Sequence, residues 1–423
     1  MIKSRIRVCE KESRNMVRNI AIIGFGGRGH IYGAYARQNP DKFNLVAIAD
    51  IAEHRRRDAE ENFGAVAYSD YKELLNKGYK LDLVVISTQD ADHKEHALYA
   101  MKKGYDLLLE KPVAINEEDC REIYACAKEN HRKVYVCHVL RYTPFYRTVK
   151  DIIDSGELGD VVAIHASENV GYYHQAHSYV RGPWRNSLES SPMILAKCCH
   201  DMDIIRYLIG EKCVAVSSFG ELSFFKAKNA PKGATAYCTD CPHENSCVYN
   251  AKRVYTEHLW MGSYFVKNGL TEENLLTELP YSQYDRCVFQ CDNDVVDHQS
   301  TIMQFENGKT ATHTMTAFSK EIYRDIKVFG TKAELVGVME DCKIEVRPFG
   351  GATKKINVDI SSATVGGHSG GDYFMMNEIW NVLEGREGKG ITYLDVSIES
   401  HLMSFAAETS RLTGGNAQKI VLD

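Results

Sequence analysis

The sequence predicts an α/β protein, with an N-terminal Rossmann dinucleotide-binding domain followed by a C-terminal α+β domain built on an open antiparallel sheet. Three observations carry this. From Asn19 to Tyr142 short apolar runs alternate with helical stretches, the pattern of parallel strands joined by crossover helices. Gly24, Gly26 and Gly29 follow the first of those runs directly. After Tyr142 the chain turns to longer strand-like segments with few helices between them. At 423 residues it also exceeds the size at which one core stops growing, so two domains are expected.

In the first half, strands are expected at 20–23, 45–49, 83–86, 106–109 and 134–137, with helices at about 30–38, 51–62, 71–75, 92–103 and 117–130. Asp70 and Asn116 stand where N-caps belong, because their side chains can accept the free N–H groups of a first turn. In the second half, a helix at 144–154 and a turn at 155–160 lead into strands at 161–168, 297–305, 310–318, 326–329, 334–338 and 343–346. Helices return at 201–209, 373–383 and 396–412. The expected division is an extension at 1–18, a Rossmann domain at 19–142 and a substrate domain at 143–423 with a cysteine-rich insertion around 231–291.

Composition removes several classes of function. Hydrophobic residues at 44% and charged residues at 26% suit a soluble globular chain. No apolar run approaches the roughly 20 residues of a bilayer crossing, so no membrane partner is expected. A net charge of -6 opposes nucleic acid, whose binding needs a basic surface. The basic stretch 1–18 lacks the apolar core of a signal peptide, and Met16 offers an alternative start. A cytoplasmic location is therefore expected, where thirteen cysteines serve as thiols or metal ligands rather than disulfides.

Gly24, Gly26 and Gly29, with Gly27 and Arg28 between them, have the G-x-G-x-x-G spacing between a strand and a helix. That arrangement needs a tight turn, open backbone for a pyrophosphate and close helix packing, with the helix N-terminus toward the phosphates. Asp50 ends the second strand 26 residues after Gly24 (50 − 24), where an acid can hold a ribose 2′-hydroxyl. A carboxylate there repels a 2′-phosphate, so NAD is expected; Arg55 and Arg56 keep NADP open.

Ser87-Thr88-Gln89, His93 and Glu110-Lys111-Pro112, followed by His200-Asp201-Met202-Asp203 and by Gly330-Thr331-Lys332-Ala333-Glu334, resemble the glucose-fructose oxidoreductase/inositol dehydrogenase (Gfo/Idh/MocA) family over most of the chain. The resemblance implies an NAD(P)-dependent dehydrogenase acting on CH–OH groups, with an open sheet that assembles dimers or tetramers. It places Thr88, His93, Glu110 and Lys111 at the cofactor, with Lys111 and His200 catalytic. A lysine there can stabilise a developing alkoxide or move its proton. Gln89 and Asp90 replace the family's usual proline and asparagine. The larger departure is Ala196, where the family commonly carries the aspartate of a lysine, aspartate and histidine relay.

Candidate substrate contacts are Tyr173, His174 and His177, with Trp184 and Arg185 soon after, and Arg141 and Tyr142 beyond the last Rossmann strand. Rings can cover a sugar face while His and Arg reach hydroxyls. His368 sits in the glycine-rich stretch 366–371 before Asp372, an expected cap of the next helix. The NAD-dependent glycosidases related to this family carry a similar histidine. Cys238, Cys241 and Cys247 with Cys291, or alternatively Cys287, could complete a structural zinc site or hold an iron–sulfur cluster.

The expected function is thus NAD-dependent hydride transfer to or from a sugar, polyol or glycoside hydroxyl. The alternatives are an NAD-dependent glycosidase working by transient oxidation and elimination, and a non-catalytic NAD-binding sensor.

Overall fold

The computed structural model describes residues 16–364 and 366–421. The basic segment 1–15, most of the expected extension, lies outside the described residues. Strands β1 (Arg18–Ile23), β2 (Phe43–Ala49), β3 (Val66–Tyr68), β4 (Leu83–Ile86), β5 (Leu107–Leu109) and β6 (Val134–Val136) form a parallel sheet in the order β3-β2-β1-β4-β5-β6. Strand order reverses at β1, and such a switch point opens a ligand crevice beyond the carboxyl ends of the strands. Ile20–Ile23 and Leu83–Ile86 are buried at every position because helices cover both faces, which is why they read as unbroken apolar runs. Strand β3 escaped the sequence reading, being three residues long. Asp70 and Asn116 cap as expected, accepting from Lys72 N and Asp119 N at 2.8 Å each.

The second sheet contains β7 (Val161–Asn169), β8 (Cys213–Glu221), β9 (His298–Phe305), β10 (Thr310–Thr316), β11 (Tyr323–Gly330), β12 (Ala333–Val338), β13 (Lys343–Pro348), β14 (Lys354–Asn357) and β15 (Gln418–Lys419). Its order is β14-β13-β12-β11-β7-β10-β9-β8-β15. The expectation of a purely antiparallel sheet is corrected at one pair: β7 and β10 run parallel. The intervening 170–309 is long enough for the crossover that parallel neighbours need, whereas short hairpins force β9/β10, β11/β12, β12/β13 and β13/β14 antiparallel. In β9, Gln299, Thr301, Met303 and Phe305 point inward while the alternate residues face out, the period of a sheet packed on one side. The outer face stays open and exposes Val162, Phe219 and Ile302.

Two C-terminal helices join the halves. In helix Leu394–Leu412, Leu394, Ile398 and Leu402 pack in the Rossmann core, whereas Met403 and Ala407 pack under the second sheet. Helix Gly371–Leu383 lays Met375, Met376, Ile379 and Trp380 on the other face of the Rossmann sheet. Val136 N donates to Thr392 O at 2.8 Å, and a bridge joins Tyr135 to Tyr393. The first core therefore recruits residues far beyond Tyr142. Among the described residues no helix is long and apolar enough to cross a membrane.

Because Leu402 fills the junction, Leu402→Ala is expected to cost about 2–5 kcal/mol through lost burial and a residual cavity. Urea unfolding measures this; a loss below about 1 kcal/mol would remove the helix from the stability of the junction.

Candidate active site

Crowding fixes the glycine loop at the ends of β1 and β4. Gly24 has φ +87°, and a Cβ there would lie 2.7 Å from Ser87 O; a Cβ on Gly29 would lie 2.1 Å from Gly24 O. Ser87 Oγ donates to Gly24 O at 2.8 Å. Helix Gly27–Gln38 starts at Gly26 with no side-chain cap, and a Cβ on Gly27 would meet nothing within 4 Å. Its first N–H groups are thus left for an anion. The buried Asp50 accepts from Phe25 N at 2.7 Å and Ala52 N at 2.8 Å, with Arg55 Nη1 at 3.4 Å. Arg56 Nη1 is turned to the carbonyls of Asp50 and Ile51, at 2.8 Å each.

Arg28 ties this loop to the far end of the chain. Its guanidinium reaches Glu110 at 2.5 Å, Asp372 at 2.6 Å and Tyr32 Oη at 2.7 Å, while Tyr32 donates to Glu110. Burial opposes both carboxylates, yet Arg28 holds Glu110 and Asp372 below their ordinary values. Asp372 also accepts from Gly367 N at 2.8 Å and meets His368 Nδ1 at 3.2 Å. It lies inside the first turn of its helix rather than at the cap position, and its oxygens bind the glycine-rich loop to Arg28. His93 is fully buried, with its ring nitrogens facing Pro112 O at 2.8 Å and Thr88 O at 3.3 Å. It braces two strand exits from behind. Thr88 Oγ1 pairs with His96 Nδ1 at 3.0 Å.

Lys111 leaves the end of β5 through a cis peptide to Pro112. Its Nζ donates to Ala196 O at 2.8 Å, so a main-chain carbonyl meets the ammonium at the position that lacks the family aspartate. His200 opens helix Cys199–Ile209; its ring lies 5.9 Å from that of His138 and 5.8 Å from that of His368, and its buried Nδ1 has no hydrogen-bond partner. Burial, followed by the charge of Lys111, pulls His200 well below its usual value. His138 is lowered likewise, by burial and then Arg141. His401 accepts from Val113 N through Nε2 and faces Ser397 O through Nδ1, each at 2.8 Å, which fixes its neutral tautomer. Sequence reading missed His138 and His401, because an isolated histidine beside apolar residues reads as core. The signal was the position of His138 just past β6, on the edge of the sheet that carries Ser87 and Glu110.

The expected substrate residues divide. Arg141 makes buried contacts of 2.6 and 2.7 Å to Asp203, and Tyr142 Oη lies 3.0 Å from Thr392 Oγ1; both are committed to protein partners. Tyr173 stacks on His258 at 3.7 Å and His177 on Tyr284 at 4.6 Å, while His174 Nδ1 lies 3.3 Å from Ser178 Oγ. These residues belong to, or lead into, a π-helix at Gln175–Arg181, a rare form frequent at functional sites. Trp184 Nε1 donates to Asp90 Oδ2 at 3.1 Å, and Arg185 meets Asp292 at 2.8 Å. Trp184, Arg185 and Asp90 border one cavity with Gln89, Ser190 and Gln283. Burial pushes the Asp90 carboxyl up; the sequence marks this acid as a departure from the family string without counting it among the site residues. The insertion cysteines 238, 241, 247 and 287 border a separate small cavity, with Cys291 outside it.

Residues 18–138 match a family model described as an oxidoreductase family with an NAD-binding Rossmann fold, and residues 150–397 match the C-terminal alpha/beta domain of that oxidoreductase family. The Bacillus subtilis protein YteT is 21% identical over 392 residues, covering 86% of this chain and 89% of its own. An inositol 2-dehydrogenase of Saccharopolyspora erythraea is 29% identical over 206 residues, 48% of this chain and 57% of that protein. Among solved structures, a levoglucosan dehydrogenase in complex with NADH and levoglucosan superposes with TM-score 0.70 at 17% identity, covering 96% of this chain and 99% of that one.

Gly29→Ala is expected to weaken dinucleotide affinity by at least about 10-fold, since the new methyl displaces the loop backbone; calorimetry showing unchanged affinity would refute the crowding argument. A second expectation concerns pH. Burial lowers His138, His174, His177, His200, His313 and His401 from 6.5, so the unfolded chain takes up protons that the folded one refuses. Stability is therefore lost as pH falls below about 6.5. Asp201, raised to about 7 by burial, acts in the opposite sense in that window, while His96 and His258, also lowered by burial, add to the histidine side. The urea midpoint should drop between pH 7.5 and 5.5; a midpoint that is level or rising contradicts the buried neutral histidines.

Proposed function

The chain belongs to the oxidoreductase family with an NAD-binding Rossmann fold, and from that premise we propose that it oxidises or reduces a hydroxyl-bearing carbon of a sugar, polyol or glycoside. The observation that carries this reading is the position of Lys111, at a strand exit beside the glycine loop and within electrostatic reach of a neutral, buried His200. The crevice fits a dinucleotide: a Cβ at Gly29 would fill the turn, the first helical N–H groups are uncapped, and Asp50 keeps acceptor sites for ribose hydroxyls. Bound there, the nicotinamide supplies or accepts the hydride.

The chain's own groups handle the proton. Lys111 spends one N–H on Ala196 O and keeps two for a substrate oxygen, where a fixed cation stabilises a developing alkoxide. His200, kept neutral, accepts the hydroxyl proton or returns it. Trp184, Arg185, His174 and His368 are the substrate contacts of this reading. The relatives named for inositol and levoglucosan support a polyol or sugar.

A second reading, redox-neutral glycoside cleavage, is favoured by His368 lying against His200 while position 196 offers no carboxylate. The open face of the second sheet suits a homodimer or homotetramer of a cytoplasmic enzyme, and we read the insertion thiols as a structural metal centre, zinc or iron–sulfur, apart from the redox site.

Incubation with NAD and a panel of sugars, polyols and aryl glycosides tests these readings. Net NADH formation is expected. Aglycone release without net NADH selects the glycosidase, and tight NAD binding with neither signal selects a sensor. Lys111→Ala should lower kcat by at least about 100-fold with NAD affinity intact; undiminished turnover takes Lys111 out of the chemistry.

A further inference from the structure

The insertion carries a donor set that hydride chemistry does not use. Cys238, Cys241, Cys247 and Cys287 border one small cavity closed by Tyr249, Val288 and Phe289. Backbone hydrogen bonds hold the segments that carry them together: Cys238 N donates to Asp285 O and Cys287 N to Ala236 O, each at 2.8 Å, while Cys241 N reaches Cys238 O at 3.2 Å. Cys238 Sγ accepts from Arg181 Nη2 at 3.5 Å.

Arg181 is the second, independent observation. It is fully buried at the end of the π-helix, with Nε on Arg286 O at 2.7 Å, Nη2 on Tyr249 O at 2.6 Å and Nη1 without a partner. Its close hydrogen-bond partners are carbonyls and a sulfur; the buried Asp285 feels its charge from beyond ion-pair distance, and among the described residues no carboxylate pairs with it directly. A buried cation with no directly paired anion is costly. Four thiolates around one divalent ion carry a net charge of −2 and add negative charge beside it.

The same contacts sort the remaining candidates. Cys291 lies outside the cavity and turns its thiol to Cys287 O at 3.3 Å. His243 faces Lys232 O at 2.9 Å and Ser246 Oγ at 3.3 Å through its two ring nitrogens. Among the described residues, the ligand atoms already within 4.8 Å of one another are those of Cys198, Asp201 and His313. There Arg324 pairs with Asp201 at 3.0 Å and with Glu168, so a resident cation already neutralises the acids. Among the described residues the insertion sulfurs stand wider apart than that, so a single shared ion requires their side chains to turn inward.

We propose that Cys238, Cys241, Cys247 and Cys287 bind one zinc ion, which neutralises Arg181 and pins the Gln175–Arg181 wall of the cleft. Uptake of the ion releases the thiol protons. This deepens the reading of the insertion as a metal centre and is independent of the dehydrogenase assignment, since zinc content and NADH turnover can fail separately. The test is elemental analysis of the purified, reduced full-length chain grown with zinc, supported by the spectrum of its cobalt-substituted form. The expected result is about one zinc per chain and tetrahedral, thiolate-to-cobalt absorption, retained in Cys291→Ser and lost in Cys287→Ser. A wild-type chain with free thiols and no stoichiometric zinc overturns the proposal, as do iron with inorganic sulfide, or zinc lost in Cys291→Ser and kept in Cys287→Ser. The wild-type metal content decides the matter even if a variant fails to fold.

Discussion

The contact of Arg28 with Glu110 and Asp372 is the constraint on which the site depends. One guanidinium in the glycine loop holds the carboxylate that precedes Lys111 and the carboxylate that positions His368. The two acids repel each other when Arg28 is absent, and their burial makes an uncompensated charge expensive. The cofactor loop, the strand exit with Lys111 and the C-terminal loop therefore share one electrostatic minimum, which neither half of the chain can reach alone.

Around that network the polar interior divides by charge. Arg324 with Glu168 and Asp201, and Arg141 with Asp203, are ion pairs buried behind the cleft. The groups nearest Lys111 are mostly imidazoles kept neutral by burial. The two acids within its reach are already engaged, Glu110 by Arg28 and Tyr32 and Asp90 by Trp184. Its field remains available to an oxygen that becomes negative during reaction. The carbonyl of Ala196 orients the ammonium without neutralising it, as an aspartate would.

The packing explains why the two halves act as a unit. Helix Leu394–Leu412 buries one end in each core and carries His401, which accepts from Val113 N just past Lys111. Helix Gly371–Leu383 covers the Rossmann sheet and presents Asp372 to Arg28. The helices that close the first core are thus the same ones that complete the cleft.

Sequence alone determined the features set by local physics. The first sheet was legible because doubly covered strands must be apolar throughout, and the cofactor loop because only glycine permits its turn and close approach. Asp70, Asn116 and Lys111 could be placed from their distance to a strand or helix end. Tertiary structure decided what depends on distant partners. Arg141 and Tyr142 look like cleft residues until Asp203 and Thr392 claim them. His138, His200, His368 and His401 lie up to 263 residues apart (401 − 138) and become neighbours only when two C-terminal helices return to the first core. The proposed preference for Cys287 over Cys291 likewise draws on the direction of each thiol, because sequence spacing records separation along the chain and carries no orientation.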